Sequence, residues 1–189
     1  YQPEAASTED MSLVHCPDYV RLVEAGTLSA EALRVLGLEW SDALRNRSFL
    51  APAGTLMTAR LALTNGLACH AAGGTHHAHY SFGSGYCIFN DLAICAKKCI
   101  NDYSGISNVL IIDLDVHQGD GTAAIFQEDK NVFTFSIHCE SNFPLKKKRS
   151  DIDVSLNKGM EDNQYLKILH EHLENLNNVK SDIIFFQAG

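Results

Sequence analysis

A chain of 189 residues can bury a real core, and its 46% hydrophobic and 20% charged residues predict a soluble globular protein. No run approaches the ~18–20 apolar residues that span a bilayer, so no membrane segment is expected, and the opening Tyr1-Gln2-Pro3-Glu4 lacks the pattern of a signal peptide. A net charge of −8 argues against nucleic acid as the main ligand, because phosphate binding needs a clustered positive field.

Residues 1–66 read as mainly helical. Ser7 or Thr8 can cap a short first helix. Pro17 suits the first turn of a second, which runs through Leu22-Val23 and stops at Gly26. Ser29 caps a third segment closed by Gly37, and a further helix is expected over residues 55–65, ended by Gly66. From residue 67 to 189 strands and helices should alternate. Residues 67–70 are expected to form a short apolar strand, followed by a Gly- and His-rich loop over 73–85. Asn90 opens a helix carrying Leu92, Ile94, Cys95 and Cys99. The apolar run 109–112 has the look of a strand buried on both faces, as do 132–137 and 183–186. Helices near 123–127 and over 162–175 separate them, with an irregular stretch between 137 and 162. Helices between buried strands predict a three-layer α/β/α domain with a mainly parallel sheet. Sites in such folds gather beyond the carboxyl ends of the strands. The chain shows no internal repeat and no obvious linker, so it is treated as a single domain over 1–189.

The six cysteines are scattered and mostly sit among apolar residues, which predicts reduced thiols in an intracellular protein. Cys95 and Cys99, four apart, are expected to pack in the core rather than hold a metal. The basic run Lys146-Lys147-Lys148-Arg149 reads as a solvated loop, with contact to an acidic partner as the alternative.

Polar residues crowd into two strand-end loops. The denser is Asp113-Leu114-Asp115-Val116-His117-Gln118-Gly119-Asp120-Gly121, directly after the run 109–112. In extended chain Asp113, Asp115 and His117 share a side, and carboxylates beside an imidazole suit a borderline ion such as zinc. A single Asp there would more simply cap backbone amides. Three carboxylates and a histidine at the end of a buried strand favour a metal, because burying that much negative charge without a cation is costly. The other loop is Gly73-Gly74-Thr75-His76-His77-Ala78-His79. A neutral histidine there could act as a general base, since its pKa lies near working pH. His79 is left unassigned, with a solvent-facing position as the reading offered. A third segment, Gly83-Ser84-Gly85-Tyr86-Cys87-Ile88-Phe89-Asn90-Asp91, lacks both a Walker lysine and a GxGxxG pattern, so a phosphate cradle is disfavoured.

Together these motifs, with Phe135-Ser136-Ile137-His138 and the early Glu9-Asp10-Met11-Ser12-Leu13-Val14-His15, resemble the histone deacetylase family within the arginase/deacetylase fold. The Asp-x-Asp-x-His-Gln-Gly segment is most similar to the class IV type and its bacterial relatives. The resemblance implies zinc-dependent hydrolysis of an acyl-lysine amide, on a protein or on a smaller acylated amine. It makes Asp115 and His117 two zinc ligands. His77 would be the general base and His76 its electrostatic partner, oriented by Asp120 and Asp113 respectively. Gly85, Tyr86 and Phe143 would line the acyl channel, with Tyr86 where the family usually has Phe. Backbone groups around Asp113, Asp115, His117, Ser136 and Ile137 correspond to a potassium site. The family's third zinc ligand, an aspartate, and its late Gly-Gly-Tyr are expected beyond Gly189, so the C-terminal part of the fold is expected to be missing. A non-catalytic binding module is the rival expectation. An arginase-like two-metal centre is disfavoured, because its motif would place a carboxylate where this chain has Gly119.

Overall fold

Caps written into the sequence delimit the helices of the first half. The computed structural model of the chain describes all of residues 1–189, which divide into two compact units, Tyr1–Tyr103 and Ser104–Gly189. In the first unit α1 (Thr8–Met11) is closed by a capping box between Ser7 and Asp10, and α2 (Pro17–Ala25) starts on its proline and stops at Gly26. The α3 helix (Ala30–Leu36) lies between the Ser29 cap and Gly37, as expected. The next helix, α4 (Asp42–Asn65), starts 13 residues before the expected Thr55. Pro52 and Gly54 would ordinarily interrupt such a helix, at a cost of ~3 and ~1 kcal/mol. Here Pro52, Ala53 and Leu56 are all buried, and α4 packs along α5 (Asp91–Asp102), so tertiary burial outweighs propensity. Gly54 also leaves room for His70, whose Nε2 would lie 2.4 Å from a Cβ at that position. Cys95 and Cys99 are buried in α5, where core packing was expected.

Residues 67–70 do not form the expected strand. Leu67 is 80% exposed and the segment has no ladder partner, so four weakly apolar residues after the Gly66 stop remain irregular.

The second unit is a four-stranded sheet, every pair parallel, in the order β3-β2-β1-β4. Its strands are β1 (Val109–Asp113), β2 (Val132–Cys139), β3 (Ile152–Leu156) and β4 (Ile183–Gln187). Helix α6 (Asp120–Phe126) connects β1 to β2, and α7 (Asp162–Leu176) connects β3 to β4. The β3 strand lies in the stretch expected to be irregular, although its Ile-Asp-Val-Ser-Leu alternation is the pattern of a half-buried edge strand. All five residues of β1 are buried and β2 nearly so, as expected. By contrast β4 is not buried on both faces: it is the other edge, and Ile184 and Phe186 are exposed on alternate positions. One side of the sheet carries a core of Leu110, Ile112, Phe135, Ile137 and Leu156, closed by Leu176 of α7. No helix is long and apolar enough to cross a membrane.

The order of strands marks where a site is to be looked for. The chain steps from β1 to β2 to β3 in one direction and then returns with β4 on the far side of β1. The crevice between β1 and β4, at their carboxyl ends, is therefore the topological switch point where open α/β sheets bind ligands. Ile111, 1% exposed at the centre of β1, holds this arrangement by packing alone. Ile111→Ala should lower the unfolding free energy by about 2–5 kcal/mol and Ile111→Val by only about 0.5–1.5, read from urea denaturation midpoints.

Candidate active site

Three residues past Ile112 the β1 strand has run out of ladder, and side chains take over the backbone amides. Asp113 Oδ1 accepts from the Asp115 N–H at 3.0 Å, and Asp115 Oδ1 accepts from the His117 N–H at 2.7 Å. These are Asx-type turns, in which a short carboxylate replaces the missing strand partner. Both the capping role and a metal role are thus open to the same residues. The imidazole of His117 swings back so that Nδ1 lies 3.1 Å from Asp115 Oδ1. That separation is close to the roughly 3.3 Å edge between two ligands of a tetrahedral zinc ion bound at about 2.0–2.1 Å. The pair sits at the switch point itself: a Cβ built on Gly189, after β4, would come 3.5 Å from Asp115 Oδ2. One carboxylate and one imidazole are suitable zinc donors, and no group of three or more His, Cys, Asp or Glu side chains is assembled around an ion position.

The neighbours of this pair are fixed by further hydrogen bonds. Asp120 is buried and opens α6. Gln118, fully buried, donates from Nε2 to the Lys148 carbonyl and to Asp153 Oδ1, both at 2.7 Å, and accepts from the Lys148 N–H at 2.8 Å. Parallel register makes Asp113 and Ser136 partners, so the residues assigned to a potassium site lie on adjacent strand ends. Ser136 Oγ lies 2.9 Å from His138 Nδ1, and burial holds the His138 imidazole below its ordinary pKa. Phe143 sets its ring edge-on to His117, with centroids 6.4 Å apart.

In the first unit His76 and His77 are both buried, with ring centroids 4.1 Å apart. Their loop is held by Asn90, expected only to open a helix, and by Asp91, for which the sequence suggests no role. The Asn90 side chain caps α5 by accepting from the Ala93 N–H, and its Nδ2 donates to the carbonyls of His76 and Ala78. Asp91, 1% exposed, accepts from the Thr75 N–H and hydroxyl at 2.7 and 2.8 Å, from the Gly74 N–H, and from the Thr55 hydroxyl. Their adjacency to the Gly-Tyr-Cys-Ile-Phe run was the available signal. His79, expected to face solvent, is buried instead: its ring stacks on Phe82 at 4.4 Å and its carbonyl accepts from His15 Nδ1. The other nitrogen of His15 accepts from the Asn90 N–H at 2.9 Å. Because Nε2 accepts and Nδ1 donates, only the neutral tautomer satisfies both.

Gly85 and Tyr86 both have positive φ, 51° and 65°, and Ser84 and Cys87 exchange two backbone hydrogen bonds around them. This is a tight turn of the type I′ kind, and the N–H groups of Ser84, Tyr86 and Cys87 are already taken by carbonyls, so they do not form a phosphate cradle. It leaves Tyr86 71% exposed in a left-handed conformation costing about 1–2 kcal/mol. A cavity of about 470 Å³ opens beside Tyr86, Thr75 and His70, but neither His76 nor His77 lines it.

The histone deacetylase domain family matches over residues 1–189, and the chain belongs to it. It is 53% identical, over its whole length, to an uncharacterized protein of Picosynechococcus sp., of which it covers 63%. It is 39% identical to the acetoin utilization protein AcuC of Bacillus subtilis over 72% of this chain and 37% of that one. The crystal structure of a histone deacetylase homologue from Aquifex aeolicus superimposes with a TM-score of 0.82 at 26% identity, covering 97% of this chain and 55% of the other. The same figures hold for such a homologue complexed with SAHA. The fold is therefore the expected arginase/deacetylase one, and the chain covers only 37–63% of the length of these relatives.

Burial in the His15 pocket pushes that imidazole down from 6.5 to about 4. Because the folded value lies below the unfolded one, the stability this group contributes is full above pH 6.5 and is lost as pH falls toward 4. The loss from His15 alone should be on the order of 3 kcal/mol by pH 4. NMR of the ring should show Nε2 unprotonated and no titration between pH 8 and 5. A His15 resonance titrating near pH 6.5 would refute the assignment.

Proposed function

We propose that the protein is a zinc-dependent deacylase that hydrolyses the amide of an acylated lysine, with this chain supplying the general base and two of the metal ligands. The observation that carries the proposal is the Asp115–His117 pair, 3.1 Å apart at the switch point of a deacetylase-family sheet. Asp115 and His117 would hold the zinc. Bound there, it would supply Lewis acidity to the amide carbonyl and to the attacking water.

The chain's own residues do the rest. His77 takes a proton from the water at a ring nitrogen and returns it to the departing amine. His76 steadies the charge that develops on it. Asp120 and Asp113 orient the two imidazoles, as carboxylates commonly fix a histidine's tautomer. Gly85, Tyr86 and Phe143 line the acyl channel, and the Tyr86 hydroxyl adds a polar group that selects among acyl chains. Backbone oxygens around Asp113, Asp115, His117, Ser136 and Ile137 would hold a potassium ion, which would rigidify this part of the sheet. The substrate is either an acyl-lysine protein or a smaller acylated amine, and the channel chemistry is the same for both.

Zinc content measured beside turnover of an acetyl-lysine peptide, in the full-length protein, separates these roles. His77→Ala should keep its zinc and lose activity by about 10²–10⁴-fold. Asp115→Ala should lose both. Full activity in His77→Ala would overturn the base assignment, and a chelator-resistant, active Asp115→Ala protein would overturn the zinc mechanism.

A further inference from the structure

The turn between β2 and β3 has few backbone hydrogen bonds of its own. Glu140 N–H reaches the Leu156 carbonyl and Asn142 N–H the Cys139 carbonyl, and then the ladder stops. In their place stands one ammonium. Lys147 Nζ donates to the carbonyls of Glu140, Asn142 and Pro144 at 2.9, 2.8 and 2.7 Å, which uses all three of its protons. Lys147 is the half-buried member of the basic run, while Lys146, Lys148 and Arg149 are exposed. The segment is pinned a second time one residue on, where the Gln118 amide exchanges two hydrogen bonds with the Lys148 backbone. Gln118 directly follows His117, and the clamped turn carries Phe143, whose ring meets His117 edge-on. The Lys147 clamp therefore ties the stretch carrying Phe143 to the far side of the turn, and Gln118 ties that side to the residue after His117.

We infer that Lys147 is a positioning residue that holds Phe143 as the wall of the acyl-binding channel and thereby sets the acyl-chain size the enzyme accepts. The inference rests on the functional reading above, in which Phe143 lines that channel and His117 holds the metal. A charged donor gripping three carbonyls makes stronger hydrogen bonds than neutral ones would. Its removal should free the turn without touching His76, His77 or Asp115. The effect belongs to binding and discrimination, not to proton transfer. It should therefore appear in KM and in acyl preference while the pH profile of kcat stays where His77 sets it.

The test uses the full-length protein with Lys147→Met, which keeps the stem and removes the charge, and Lys147→Arg, which keeps the charge. Acetyl-lysine and butanoyl-lysine peptides are the substrates. The Lys147→Met protein should show KM rising several-fold, kcat falling far less, and the kcat/KM ratio between the two peptides moving toward parity by about tenfold, the scale on which a pocket discriminates methylenes. Lys147→Arg should recover a substantial part of that ratio. Amide hydrogen exchange in residues 139–147 should quicken in Lys147→Met while β1 and β2 stay protected. A wild-type ratio in Lys147→Met overturns the inference, whether or not exchange has quickened, because the turn would then not be what selects the acyl chain. A kcat loss as large as the KM change, with a displaced pH profile, would also overturn it. Wild-type protein inert toward both peptides would instead sink the deacylase reading, and the inference with it.

Discussion

β1 is hydrogen-bonded along both edges and buried on both faces, which leaves it one free feature, its carboxyl end. The rest of the second unit depends on that constraint. A one-residue slip would send Leu110 and Ile112 to the face now packed by Val109 and Ile111, and would break the fit on both buried faces at once. The segment that follows it therefore leaves the sheet at a fixed point, between a neighbour that precedes it in space and one that arrives from the opposite side. Asp113, Asp115 and His117 inherit their positions from this, and the two carboxylates complete the turn by taking the amides that the ladder no longer serves. Acidic residues at a strand end thus answer the unpaired N–H groups, and in the proposed function the same oxygens would be donors to a cation.

The first unit solves a related problem with different means. Its histidine loop has little regular structure, yet His76 and His77 are nearly inaccessible to water. Order comes from three buried polar side chains, two from the start of α5 and one from the α1–α2 connection. Asp91 gathers four donor groups, Asn90 reaches two carbonyls while capping its own helix, and His15 bridges the loop to the helix start. Each is satisfied, and no buried side-chain N or O lacks a partner. A network of this kind fixes one arrangement, because losing any member strands its neighbours' polar groups away from water.

Much of the fold was legible because caps and apolar runs are local signals. Ser29, Gly37, Asn90 and the run 109–112 each identify their element within a few residues. What could not be read locally was decided by tertiary contact. The α4 helix continues through Pro52 and Gly54 because both are buried against neighbours, and β4 loses the burial its Ile-Ile-Phe-Phe composition implies because it stands at a sheet edge. β3 shows the opposite failure: its alternation was present and went unread. The candidate site was legible as residue types and their order. The long-range partners around it, His15 and Gln118, were not, since nothing in a side chain's own neighbourhood reveals a hydrogen bond made 30 or 75 residues away.

Tyr86 lies with its ring against Gly37, where an added Cβ would come 3.0 Å from the ring edge. Gly37 ends α3 with φ at 80°, and its carbonyl neighbour Leu36 accepts the Tyr86 N–H. One position thus answers to two demands, a left-handed backbone and a bare surface. Asparagine could meet the first but not the second, and alanine meets neither. The two demands differ in kind: a smaller side chain at position 86 would lift the crowding at position 37, while the left-handed backbone there would still favour glycine.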